Sequence, residues 1–153
     1  MSTATFTEFL RSPKSVVEQT KDGAVRITRR RGHDLMLARA DDLERQQEGM
    51  ALASRLMHAT LAHDGDMTAA LRSLFSWTTL LDSHELNTFA ADMDRLVWPA
   101  AELGRYRELL LEFRRWEATA EAYADGLAPD QPLEWLNHPA AVPETYEPQR
   151  IDR

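Results

Sequence analysis

The sequence predicts an α+β fold: a small antiparallel sheet with helices over residues 1–45, then an all-helical region to about residue 125. Three observations predict it. Two short runs alternate apolar and polar residues around a glycine turn near residue 32, the pattern of a β-hairpin. Apolar residues then recur at helical spacing from about 41 to 123. Asp-x-x-Glu patterns and Gly or Pro breaks punctuate that long stretch into separate helices.

Residues 2–6 are Thr-rich and β-leaning, and Thr7 is placed to cap a first helical turn. Ser12-Pro13 reads as a second N-cap with proline at the first helical position. Leu10, Val16, Val17 and Thr20 are expected to share an apolar face, and Asp22-Gly23 ends the helix. In AVRITRR (24–30), Val25 and Ile27 alternate with Arg26 and Thr28; in HDLMLAR (33–39), Leu35 and Leu37 alternate with Asp34 and Met36. Asp41-x-x-Glu44 is a capping-box pattern that opens the next helix.

Over 41–62, Leu43, Met50, Ala53, Met57 and Leu61 fall on or near one stripe. His63-Asp64-Gly65 is a break, Asp66 caps the next segment, and Met67, Leu71, Leu74, Phe75, Thr78 and Leu81 keep helical spacing. Asp82-x-x-Glu85 is another capping box, leading into Leu86, Phe89, Ala90, Met93, Leu96 and Val97, with Pro99 expected to break or kink the chain. The last helix carries the clearest pattern, Leu109, Phe113, Trp116, Ala120 and Tyr123. From Gly126 the chain reads as a Pro-rich tail, 126–153, with Leu133, Trp135, Leu136 and Tyr146 as apolar anchors. The expected organisation is therefore a module at 1–45, a helical region at 46–125 and this tail.

At 153 residues with 43% apolar and 28% charged residues, the chain suits one or two soluble compact units. It has no cysteine, so disulfides and thiolate metal sites are excluded. The N-terminal MSTATFTEFLRSPK lacks the apolar run of a signal peptide, and no run approaches the roughly 20 residues of a membrane span. A cytoplasmic protein with no membrane partner is expected. Abundant Ala, Arg, Asp and Leu with little Lys suggest a GC-rich bacterial genome.

The net charge of -7 hides an asymmetry. Residues 1–39 carry eight Lys/Arg against four Asp/Glu, an excess of +4. The remainder carries ten against twenty-one, a net -11. A basic head on an acidic body suits a chain that meets phosphate with one end and another partner with the other.

Candidates for catalysis are thin. His58 and His63 lie five apart, roughly 140° around a helix, a poor pair of ligands. His84-Glu85 begins like a zinc-protease helix, but Thr88 stands where the second histidine belongs. There is no glycine-rich phosphate loop and no nucleophile elbow. The expectation is no enzyme, no metal and no cofactor.

The more informative cluster is Ile27-Thr28-Arg29-Arg30-Arg31-Gly32. Three successive arginines at a hairpin cannot all point inward, so at least two project into solvent, where they can grip phosphates. This region resembles the N-terminal domain of the prevent-host-death (Phd/YefM) antitoxins over about residues 4–45. The matching residues are Phe6-Thr7-Glu8, Val16-Val17, Gly23, Ile27-Thr28-Arg29-Arg30, Gly32, the strand 35–38 and Asp42-Leu43. The resemblance implies a homodimer with a shared sheet, binding to palindromic operator DNA with autorepression, and neutralisation of a cognate toxin by a C-terminal segment. The family arginine at the end of the Ile-Thr-Arg strand falls on Arg29. The family's other DNA-binding arginine aligns with Leu10, beside Arg11. Pro13 and the greater chain length depart from the usual member.

The expected DNA contacts are thus Arg29 and Arg30, supported by Arg31, Arg11 and Lys14. Val25, Ile27, Leu35 and Leu37 are expected on a sheet face shared or covered in the dimer. The expected toxin contacts are Leu109, Phe113, Trp116, Tyr123 and Trp135, because aromatic side chains on one helical stripe serve well as interface anchors. The same stripe serves equally as the inner face of a bundle. An alternative role is a helical interaction adaptor that uses the N-terminal module only to dimerise.

Overall fold

The computed structural model describes residues 1–127, and the fold is α+β. Strand β1 (Ser2–Thr5) leads into two short helices, α1 (Phe6–Arg11) and α2 (Pro13–Glu18), and a 3-10 turn over Gln19–Asp22. Strands β2 (Val25–Thr28) and β3 (Leu35–Leu37) follow. Four longer helices complete the described chain: α3 (Ala40–Ala62), α4 (Met67–Leu74), α5 (Ser83–Leu103) and α6 (Arg107–Ala124), with a 3-10 turn over Ser76–Leu80 between α4 and α5.

The sheet is mixed, which corrects the expected antiparallel one. Its order is β1-β2-β3, with β1 parallel to β2 and β3 antiparallel to it. Helices α1 and α2 form a crossover, and a crossover returns the chain parallel to the strand it left. One sheet face carries Ala4, Val25 and Ile27; Ala4 and Val25 form a small core with Val16 of α2, flanked by Phe9 and Leu37. Val25 and Ile27 are thereby buried within this chain, while Leu35 on the edge strand stays exposed. Leu10 and Val17 also remain exposed, so only Val16 and Thr20 of the expected α1–α2 face are buried.

Several helix starts differ from the sequence reading. Thr5, not Thr7, caps α1, in a capping box with Glu8. Pro13 does open α2, but the Ser12 side chain makes no capping bond. Arg39 precedes α3 without a side-chain cap, so Asp41 lies inside the first turn, where its charge still suits the helix N-terminus. Asp66 caps α4, and Asp82 with Glu85 forms the expected box at α5. The run from Met67 does not continue as one helix: it leaves α-geometry at Phe75. Helix α5 passes through Pro99 to Gly104, whose left-handed backbone (φ 63°) ends it. Pro99 is exposed, so the Arg95 carbonyl that loses its partner can be hydrated instead.

Helices α3–α6 enclose the main core, in which Leu56, Leu71, Phe89, Met93, Val97 and Leu109 are fully buried. Helix α3 buries Gly49, Leu52, Ala53, Leu56, Ala59 and Thr60. The expected stripe on this helix is therefore displaced: Leu43, Met50 and Leu61 are exposed, and Met57 is only partly covered. The small residues explain the shift, because neighbouring elements approach closest where α3 has least side chain. At Gly49 an added Cβ would stand 2.1 Å from the Tyr106 Cβ. The Gln46 side chain donates to the Gly104 carbonyl, and Arg114 donates to both carboxylate oxygens of Glu48, tying α3 to the end of α5 and to the middle of α6.

Candidate nucleic-acid interface

Because β1 and β2 run parallel, their last residues, Thr5 and Thr28, are paired partners. The start of α1 and the loop after β2 therefore emerge at the same end of the sheet. Phe6 meets Arg29 there: the guanidinium carbon lies 5.1 Å from the ring centroid, a cation–π contact. Gly32, at φ +98°, lies beside the same guanidinium: a Cβ there would stand 3.6 Å from one of its nitrogens, an ordinary contact. Arg29, Arg30 and Arg31 are all exposed and line a surface hollow of about 650 Å³ with Phe6 and Thr5, Thr7 and Thr28.

Asp34 organises this loop. Its Oδ2 accepts from Arg26 Nε at 2.8 Å, and its Oδ1 accepts from the Arg29 backbone N–H at 3.2 Å. The bond from the Arg29 amide, then the Arg26 guanidinium, holds the Asp34 carboxyl below the usual aspartate range. Among the described residues no carboxylate pairs with the guanidinium of Arg29, Arg30 or Arg31. Their planar donor forks face solvent at one site, an arrangement suited to phosphate oxygens.

Three of the five expected DNA-contact residues are thus brought together. Arg11, in the last turn of α1, and Lys14, in the first turn of α2, are exposed but do not line the hollow. Sequence reasoning missed the roles of Asp34 and Phe6 here. A lone acid beside an arginine run was the available signal for Asp34; nothing local pointed to the pairing of Phe6 with Arg29.

The expected partner stripe packs against the bundle core, the second of the two roles its spacing allows, with Phe113, Trp116 and Tyr123 only partly buried. Leu109 is fully buried. Phe113 packs 4.9 Å from Phe75, centroid to centroid, and Trp116 5.6 Å from Phe89. The Trp116 indole N–H donates to Asp92 at 3.1 Å, and the Tyr123 hydroxyl donates to Glu85. Each apolar body has a covering neighbour and each polar tip an acceptor on α5, as half-buried Trp and Tyr require. Trp135 lies outside the described residues.

The histidines have separate settings. His58 is exposed on α3, His63 ends that helix, and the His84 carbonyl accepts from Thr88 in α5. No group of three or more metal-ligating side chains and no helix long and apolar enough to cross a membrane occurs among the described residues. Comparison with known protein families, characterised proteins and solved structures gives no match for this chain.

Proposed function

We propose that this chain is a DNA-binding repressor of the antitoxin kind, meeting operator DNA as a dimer through Arg29–Arg31 and holding a protein partner with its acidic helical body. One observation carries the DNA reading: three exposed arginines share a hollow with no carboxylate on their guanidiniums among the described residues. The element order β-α-α-β-β-α is compatible with the order of strand, helix, hairpin and helix that accompanies the residues resembling the prevent-host-death antitoxins. The charge division, +4 over residues 1–39 against -11 over the rest, supports the reading. The basic head suits a polyanion and the acidic body a basic toxin. Leu109 is buried in the core and Phe113, Trp116 and Tyr123 are partly buried against it, so the partner surface is sought first on the exposed acidic faces of the body.

The test is binding to duplex DNA from upstream of the protein's own gene. Arg29→Ala/Arg30→Ala should weaken binding by about tenfold or more and make the salt dependence shallower, as loss of two phosphate contacts requires. A doubly substituted protein that is folded and binds at the wild-type concentration would refute the reading.

A further inference from the structure

We propose that Asp34 is the positioning residue of the arginine loop, holding it in an anion-ready pose before any ligand arrives. The nature of that anion, a DNA backbone phosphate, rests on the functional reading above; the pose does not. An acidic side chain beside three arginines would ordinarily pair with one of them and neutralise it. Asp34 instead spends one oxygen on Arg26, back in β2, and the other on the Arg29 main chain. The loop guanidiniums keep their charge and their donors. Fixing the Arg29 backbone also fixes where its side chain begins. The guanidinium then lies on the Phe6 ring, with Gly32 close beside it. Without the clasp, mutual repulsion among Arg29, Arg30 and Arg31 would favour a spread loop, and ordering it would cost entropy at the moment of binding.

The proposal reverses the sign that charge alone gives. Removing a carboxylate from a basic site raises its positive potential, and simple electrostatics then predicts tighter DNA binding. Positioning predicts weaker binding. The two substitutions should also differ in degree. Asp34→Asn keeps an acceptor for the Arg29 N–H but loses the Arg26 ion pair; Asp34→Ala loses both.

The experiment uses the full chain in two arms. In the first, a labelled 30-base-pair duplex is titrated at low salt, with thermal melting as a control for folding. Asp34→Ala should bind about fivefold more weakly, the scale of one exposed ion pair, with Asp34→Asn between it and wild type. Equal or tighter binding by a folded Asp34→Ala protein overturns the proposal. In the second arm, with no DNA, the Arg29 Nε–Hε resonance is followed in isotope-labelled protein. The Phe6 ring should displace it from the free-arginine position, and Phe6→Leu identifies that displacement. Asp34→Ala should abolish it; a retained displacement overturns the proposal. If wild type binds no duplex, the DNA reading fails, and the second arm still decides whether Asp34 sets the pose.

Discussion

Gly49 and Asp34 illustrate how single residues act here through what they leave room for and what they hold. Glycine inside a helix costs about 0.5–1 kcal/mol relative to alanine. At Gly49 that preference is overridden, because Tyr106 approaches through its Cβ, close to the backbone, and cannot swing aside. Gly49→Ala should therefore destabilise the protein by about 1–3 kcal/mol, the usual scale of overpacking. Urea unfolding of the full chain checks this, and a variant as stable as wild type contradicts the close approach. Asp34 offers a pH test with a definite sign. Its carboxyl is held below the ordinary aspartate range, so the clasp's contribution is complete above that range and is lost as pH falls through the lowered value. Binding and fold should not vary with Asp34 between about pH 5 and 7. Followed by NMR, the Asp34 titration should move only part of the way back up in Arg26→Ala, because the Arg29 amide is the larger cause.

At the scale of elements, caps and breaks decide where helices begin but not always where they end. The Asp82–Glu85 box opens α5 as its sequence requires, and Glu85 also accepts from Tyr123, so one side chain serves the helix start and the α5–α6 seam. Pro99 was expected to break or kink the chain, yet α5 continues through it to Gly104. Val97 and Ala100 are buried beside it, and their packing holds the last turn in place despite the lost hydrogen bond. Pro99→Ala should restore the bond to the Arg95 carbonyl. The gain should be about 1–2 kcal/mol, less than the roughly 3 kcal/mol cost of proline inside a helix, because alanine frees the unfolded chain. A rise in melting temperature is the expected result; no change would mean that the helix had already relaxed around the proline.

For the whole molecule, two separate apolar clusters matter most. One unites β1, α2 and β2 around Ala4, Val16 and Val25; the other unites α3–α6. Helix α6 supplies Leu109, Leu110 and Ala120 to the larger core, so it is a structural member and not an appendage. Deleting residues 105–153 should abolish the cooperative unfolding of the bundle, measured by circular dichroism and calorimetry, since large apolar side chains on α5 would lose their cover. A truncated protein that still melts cooperatively with native helix content would return the stripe to the role of a partner surface.

The sequence by itself determined the fold class, the hairpin strands, the division of the helices at Gly65 and Asp82, and the exposure of the arginine loop. These follow from short-range rules: alternation, helical spacing, capping and the impossibility of burying three adjacent charges. Only the tertiary structure decided three other matters. The crossover of α1 and α2 made β1 parallel to β2, and this alone brings Phe6 to Arg29 across 23 residues of chain. Close approach at Gly49 turned the small-residue side of α3 inward and left Leu43, Met50 and Leu61 outside. The α6 stripe had the same spacing whether it faced a partner or its own bundle, and packing against Phe75, Phe89 and α5 chose the bundle. A periodic apolar face records that something covers it; what covers it is set by which elements pack together, a long-range property that local spacing does not encode.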